Sequence, residues 1–501
     1  MSTPGVTIRM YKGLLGDCFL LRLFNDTAVD RTQPADFTIL IDCGIIQGEG
    51  TGKDRMRRAA EDIKKACGGK LDLVVVTHEH YDHISGFGLA RDIFLDDDNF
   101  KIERLWLAWT EDPEDEDARK LRRMFEHSQM AIAVGVERMA ARAKDKEKDW
   151  YLQGEAMGLD SFVGPFGAPA KGRLTGRAII EALKQKAGMD PNSYLEPGQV
   201  LPTTDDPDKP VLRAFVLGPP RNPERLFKAL PTKAKPETYL AAREAEARTM
   251  ARNFASLGND GEFGNMPFSM RYQQVVDTEL LDPTLTPPSD ATPAQRNLWD
   301  MRKRYGPLED SDNPSELAQR QIRDDWQGAI GSLAIKLDSD TNNSSLVLAF
   351  ELEPDGPVML FAADAQVGNW LSWHDQGYLV SEDQKIEASD ILKRVVFYKI
   401  GHHGSHNATL RAAGLEQMTD ERLVAMLPLD QRMANKRKWS FPHEEMYDRL
   451  RVLTGGRIIW GDRDPEPEVL VAHPNFKSAL REPIGDDGSG LGPLWIEYDV
   501  N

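Results

Sequence analysis

An α+β fold, mixed in content and starting with strands, is predicted by three features of the sequence. The first hundred residues alternate short strand-like runs with turn residues. A helical stretch within them leads into the continuous apolar run "LDLVVV", and four more strand-like runs return after residue 330.

Taken in chain order, "VTIRMYKG", "GDCFLLRLF" and "DFTILIDCG" read as antiparallel hairpins, because turn residues separate them at short intervals. "DRMRRAAEDIKKACGG" carries the helical period and stops at the pair Gly68 and Gly69, before the buried-strand run "LDLVVVT". "ISGFGLARDIFL" then reads as a helix and "IERLWLAWT" as a strand, so residues 1–112 form the first half of a core. From Glu111 the chain becomes long, charged and helical in period, which marks an insertion over 113–194. "VLRAFVLGPP" supplies a return strand within 195–222. A second insertion over 223–329 holds the helical "PETYLAAREAEARTMARNFASLG" and the Pro-rich "LLDPTLTPPSDATPAQ", a surface loop. Residues 330–501 complete the core. "SLAIKLDSD", "SSLVLAFELE", "PVMLFAAD" and "RVVFYKIGHHG" read as strands, followed by a helix in "HEEMYDRLRVLTGG", a strand in "RIIWGD" and a strand-like end in "LWIEYDV".

Composition bounds the function classes. The 501 residues are 40% hydrophobic and 28% charged, within the globular range and away from that of disordered chains. A net charge of -18 argues against a protein that coats nucleic acid nonspecifically, since such binding needs a surplus of Lys and Arg. The local basic runs "RKLRR" and "QRMANKRKW" read first as solvated faces, which leaves nucleic acid an open partner. Three cysteines without CxxC spacing suggest a reducing compartment. With no signal-peptide layout and no apolar stretch near ~18 residues, the expected location is the cytoplasm, without a membrane partner.

The densest chemistry lies in "THEHYDH", which uses three of the ten histidines directly after an apolar strand. His78 and His80 are two apart, so on an extended loop their rings point the same way, while Asp82 and His83 can turn to a neighbouring point. Imidazole nitrogen with carboxylate oxygen is a ligand set for zinc, or for manganese or iron where oxygen donors dominate. Further ligands wait at two later strand ends: Asp364 in "VMLFAADAQ", which could equally cap a helix, and His402, His403 and His406 in "YKIGHHGSHNAT".

At these residues the chain resembles the metallo-β-lactamase superfamily. The HxHxDH pattern matches His78, His80, Asp82 and His83; Asp42 in "ILIDCG" matches the early Asp that supports the His loop, and Asp364 the bridging carboxylate. Within the superfamily, "GDCFLLRL", "NNSSLVLAFE", "LFAADAQ", "KIGHHGSHNAT" and "SFPHEEMYDRL" are similar to segments of the hydrolase domain of ComEC-type DNA-uptake proteins, with Phe441 where a histidine is usual. The likeness covers about residues 5–112, 195–222 and 330–465, and omits both insertions.

The resemblance implies a four-layer αββα sandwich with two large, mainly helical insertions, and two divalent cations, zinc first, with manganese or iron as alternatives. The first cation would rest on His78, His80 and Asp364, and the second on Asp82, His83, Asp364 and either His402 or His403. Many superfamily members place a third histidine on the first cation. Here the comparable stretch "DTNNSSL" offers Asn342, Asn343 and Ser345, so unequal affinities are expected. The implied reaction is hydrolysis by a metal-bridging hydroxide of a phosphodiester, either a nucleotide or a nucleic acid. Asp82 would orient the nucleophile, and Ser405, His406 or Lys399 would contact the phosphate or leaving oxygen; for Lys399 a solvent-facing strand position competes, and His443 reads as a support for its own helix. Ester, lactone or thioester hydrolysis is the alternative chemistry. A noncatalytic component binding protein partners through the insertions is the alternative class.

Overall fold

The computed structural model describes residues 4–26, 31–46, 51–145, 174–189, 191–232, 325–436, 439–483 and 492–500, with isolated positions between 289 and 296. Among the described residues two large sheets dominate. The first has eight strands in the order Leu480–Arg481, Trp495–Val500, Gly5–Tyr11, Cys18–Phe24, Phe37–Cys43, Leu73–Val75, Leu105–Ala108 and Tyr194–Leu195. Its first five strands pair antiparallel, as the hairpin pattern predicts, and the remainder run parallel from Phe37–Cys43 onward.

The second sheet has seven strands: Ile458–Trp460, Val424–Leu427, Val395–Lys399, Val358–Phe361, Val347–Glu351, Arg213–Gly218 and Val200–Pro202. Here too one half is parallel, from Ile458–Trp460 to Val358–Phe361, and the other antiparallel. Side chains alternate between two environments along each strand, as the period of two requires. Ile39 and Ile41 share one buried cluster with Leu348, Phe350 and Met359 of the second sheet, whereas Leu40 packs with the helix residues Met56, Ile63 and Phe87. On the other sheet Val347 and Ala349 face Trp370, Ile391 and Leu450. No described helix is long and apolar enough to cross a membrane.

Two expectations need correction. "SLAIKLDSD" lies in a helix, Asp325–Asn343, and not in a strand. Its short apolar run, Leu333–Leu337 broken only by Lys336, is of strand length, but Ala334 and Leu337 are three apart and pack together on Trp109, Leu121 and Phe125, so burial of one helical face decides for the helix. The segment before residue 195 is also core rather than insertion in part: Gly176–Ala187 is a helix whose Ile179, Ile180 and Leu183 join the cluster beneath the first sheet. The helix expected after Glu111 runs over Glu116–Asp145. The helical "PETYLAAREAEARTMARNFASLG" lies outside the described residues, as does nearly all of the Pro-rich stretch after it.

This topology positions the chemistry. "THEHYDH" follows the parallel strand Leu73–Val75; Asp364 follows Val358–Phe361; His402 and His403 follow Val395–Lys399. All three are at carboxyl ends of parallel strands, where open sheets leave their crevices. The backbone N–H of Leu346, entering the second sheet, donates to Thr77 O at 2.9 Å and ties the two sheets together beside the cluster.

Candidate metal centre

His78 and His80 lie on the extended link after the strand, and His80 is the N-cap of the helix Tyr81–Leu89, so Asp82 and His83 fall in its first turn. Glycines admit this turn into the structure. A Cβ on Gly44 would stand 2.1 Å from the Asp82 carbonyl, and one on Gly16 would stand 2.6 Å from the same oxygen, which the Asp17 N–H reaches at 2.9 Å. Five non-glycine residues in the described chain have positive φ, and four flank the cluster: Asp42 at 53°, Ala363 at 47°, His402 at 43° and His403 at 51°. Such backbone costs roughly 1–3 kcal/mol per residue and persists where the surroundings over-determine it.

Among the described residues the cluster forms three overlapping groups; Asp17, Asp42 and His83 are one, and the other two share Asp364. His78, His83 and Asp364 make one of these two; Asp82, Asp364 and His403 make the other. Within each, one potential ligand atom per residue lies within 4.8 Å of the rest. Individual separations are close to those of donors sharing one ion: 3.1 Å from His78 Nε2 to His80 Nδ1, 3.3 Å from His83 Nε2 to Asp364 Oδ2, and 3.1 Å from His403 Nε2 to Asp82 Oδ2. Two donors held tetrahedrally at ~2.0–2.1 Å from zinc stand roughly 3.3 Å apart, so the spacing fits a divalent cation. His83 Nε2 is also buried and makes no well-formed hydrogen bond among the described residues. An orphaned buried ring nitrogen facing carboxylates is what a cation would satisfy.

Behind this layer, oxygens hold the outward ring nitrogens. Asp42 accepts from His83 Nδ1 at 2.8 Å, from the Thr77 N–H at 2.9 Å and from the Thr77 hydroxyl at 2.7 Å. Pro428 O accepts from His403 Nδ1 at 2.7 Å, and Thr77 Oγ1 and Ser345 Oγ stand 3.1 and 3.3 Å from His78 Nδ1.

Electrostatics divides the histidines. Burial pushes His78 well below the usual histidine range, and pushes His80 down to about 4. Burial acts on His83 too, but Asp364, Asp17, Asp42 and Asp82 outweigh it and hold its proton well above that range. In His403 burial is likewise overcome, chiefly by the hydrogen bond to Asp82, and the ring is raised. The carboxylates respond in kind. Burial would raise Asp82 and Asp364, yet His83 above all holds each well below the usual carboxylate range.

His402 and His403 diverge. The His403 ring is buried against Asp82, while the His402 ring is partly exposed, with Nε2 3.9 Å from Asp364 Oδ2 and its backbone N–H donating to Asp364 Oδ1 at 3.1 Å. Lys399 does not face solvent or a cleft. It is 1% exposed, ion-paired with Asp17, 3.6 Å from Asp364 Oδ1, and donates to Ala363 O at 3.1 Å. Ser405 donates its hydroxyl to Asn407 Oδ1 at 2.9 Å, which commits it to shaping its own loop. His406 is half-buried on that loop. His443 caps the helix Glu444–Leu453, and its backbone N–H donates to Gly404 O at 2.8 Å, so it touches the histidine loop through main chain.

Of the asparagines offered for the first cation, Asn343 is engaged elsewhere, donating to the carbonyls of Arg225 and Leu226 at 2.9 and 2.7 Å. Asn342 Nδ2 donates to Asp338 Oδ2 at 3.3 Å, while its Oδ1 is buried and makes no well-formed hydrogen bond among the described residues. Asp338 itself, and Asp17, were not foreseen as members of this site. Asp338 Oδ1 lies 3.8 Å from His80 Nε2, and burial, with Asp82 and Asp364 nearby, raises its carboxyl to about 7. Once 325–343 is known to be helical, the four-residue spacing of Asp338 and Asn342 places them on one face.

Comparison with known families agrees with this geometry. The sequence model described as Metallo-beta-lactamase superfamily matches residues 28–161, a span that includes Asp42 and the whole His78–His83 loop. The chain therefore carries a metallo-beta-lactamase superfamily domain, mixed α and β in content, with a His/Asp group that could bind metal. No curated protein and no solved structure matches the chain.

Proposed function

We propose that this chain, on the premise of that superfamily domain, is a metal-dependent hydrolase that cleaves phosphodiesters, a nucleotide or nucleic acid among them. The observation that carries the hydrolase reading is the meeting of Asp82, Asp364 and His403, from three distant segments, within one ligand-sized pocket. Sharing of one buried cluster by the two sheets supports the αββα sandwich typical of the superfamily. Three free cysteines, two of them buried, suit a reducing compartment such as the cytoplasm.

His78 and His80 with Asp364 would hold one divalent cation, and Asp82, His83 and His403 with Asp364 the other; zinc suits this nitrogen-rich set best, with manganese or iron next. Two such cations would supply an acidified water as nucleophile and offset negative charge on the phosphoryl oxygens. The chain's own groups do the rest. Asp42 and Pro428 O keep His83 and His403 in one tautomer and orientation; Asp82 would direct the nucleophile, and His406, on the loop that follows His403, would protonate the leaving oxygen. The ComEC-type likeness of "NNSSLVLAFE" and "KIGHHGSHNAT" supports a phosphodiester as substrate.

A second reading, hydrolysis of an ester, lactone or thioester, is favoured by one observation. Lys399 is sequestered on Asp17 and Asp364, so the cleft has one cation fewer for a phosphate than the sequence suggests. Zinc- or manganese-loaded protein assayed in parallel on a generic phosphodiester, a phosphomonoester, a thioester and a lactone separates the two. Turnover of the phosphodiester alone, abolished in His80→Ala and Asp82→Ala, is the expected result; turnover of acyl substrates alone selects the second reading. Inactivity of fully loaded protein on every substrate selects a partner-binding role for the insertions.

A further inference from the structure

In this cluster the outward ring nitrogens of three histidines are backed by oxygens: His83 by Asp42, His403 by Pro428 O, and His78 by Thr77 and Ser345. The fourth, His80, has its Nδ1 turned toward His78 Nε2 at 3.1 Å, the separation of two donors on one ion, so its Nε2 is the outward nitrogen. Asp338 Oδ1 stands 3.8 Å from that nitrogen. We infer that Asp338 is the carboxylate that backs His80, accepting from Nε2–H and thereby presenting Nδ1 to the first cation.

Two further observations support Asp338 in this role. Its second oxygen accepts from Asn342 Nδ2 at 3.3 Å, one helical turn onward, which leaves the first oxygen toward His80. The helix is anchored by Ala334 and the adjacent Leu337, both buried on Trp109, Leu121 and Phe125, which sets the rotation that turns Asp338 to the site. The arrangement also repeats, on the first pocket, what Asp42 does on the second: a carboxylate behind an imidazole fixes the tautomer and raises the basicity of the ligating nitrogen. In a chain without a third histidine for the first cation, this backing compensates in part by strengthening one of the two it has.

The inference rests on the metal-centre reading, and a zinc titration separates the two. Wild-type protein, metal-stripped and titrated with zinc against a chromophoric chelator, is expected to take two ions per chain, one tighter than the other. In Asp338→Asn the dissociation constant of the weaker ion rises roughly 10–100-fold while that of the tighter ion moves by less than about threefold, and Asp338→Glu restores the weaker ion to within about threefold of wild type. In the cobalt-loaded protein, the exchangeable His80 ring N–H resonance shifts in Asp338→Asn and the His83 resonance does not. Unchanged zinc affinities in Asp338→Asn overturn the role of Asp338 while leaving the metal centre standing. Equal weakening of both ions overturns it too, since that marks a displaced helix. Wild-type protein that binds no zinc overturns the metal centre, and this inference with it.

Discussion

The two halves of the cluster are built from different parts. Around Asp82, His83 and His403, sheet ends and loops supply both the inner groups and their support: Asp42 ends one strand, Thr77 follows another, and Pro428 follows a third. Around His78 and His80 the inner groups come from one loop, and the support from Thr77, which serves both halves, from Ser345, and from Asp338 on a helix packed outside the sheets. Charge follows construction. Burial lowers both histidines of the first half, whereas in the second burial is outweighed by carboxylates that raise both.

The sharpest way to break this contrast is to remove what the halves share. Asp364→Ala is expected to abolish stoichiometric zinc binding in both pockets, and hydrolysis with it, as read by metal analysis after dialysis and by the phosphodiester assay. Retention of one tight ion would show that Asp364 serves a single pocket.

Next in size is the charge balance behind the second pocket. Lys399→Met leaves Asp17 and Asp364 facing each other without their cation, and loss of one partner of a buried pair costs about 3–5 kcal/mol. Urea unfolding of the metal-free protein measures it. A variant as stable as wild type but defective in substrate binding would restore Lys399 to the cleft.

Asp42→Asn sharpens the comparison at intermediate size. It is expected to weaken the second-pocket ion by roughly 10–100-fold and to leave the first nearly unchanged, the mirror image of Asp338→Asn. The pH dependence of binding differs between pockets in the same sense. His83 carries a proton held well above the usual histidine range, so a cation entering there must displace it, and affinity rises roughly tenfold per pH unit per displaced proton between about pH 6 and 8. His80, pushed down to about 4, has already lost its proton in that window, so the first pocket's affinity stays flat. Zinc competition titrations across the range show whether one of the two affinities moves alone. Smallest of all, Ser405→Ala should change kcat/KM by less than about fivefold, because its hydroxyl is spent on Asn407 rather than on a reacting group.

Much of this site was legible in the sequence because its ligand-type residues are dense and follow apolar runs. His78, His80, Asp82 and His83 sit after "LDLVVV", Asp364 after "VMLF" and His402/His403 after "VVFYK", and strand ends that converge are what a β-rich fold makes of such runs. What the sequence concealed depends on tertiary packing. The short apolar run in "SLAIKLDSD" imitates a strand until Ala334 and Leu337 find Trp109 and Phe125, and the strand reading hides Asp338. Lys399 pairs with Asp17, far away in the chain, and no local pattern announces that meeting. The choice between His402 and His403 was equally closed to periodicity, since left-handed backbone at both residues sends the two rings to different neighbours.

Crystals grown with zinc and measured at its absorption edge test the dinuclear centre most directly. Two anomalous peaks about 3.5–4 Å apart, with Asp364 between them, His83 and His403 on one and His78 and His80 on the other, are the predicted result. Absence of any peak inside the cluster, with zinc confined to surface histidines, would contradict it.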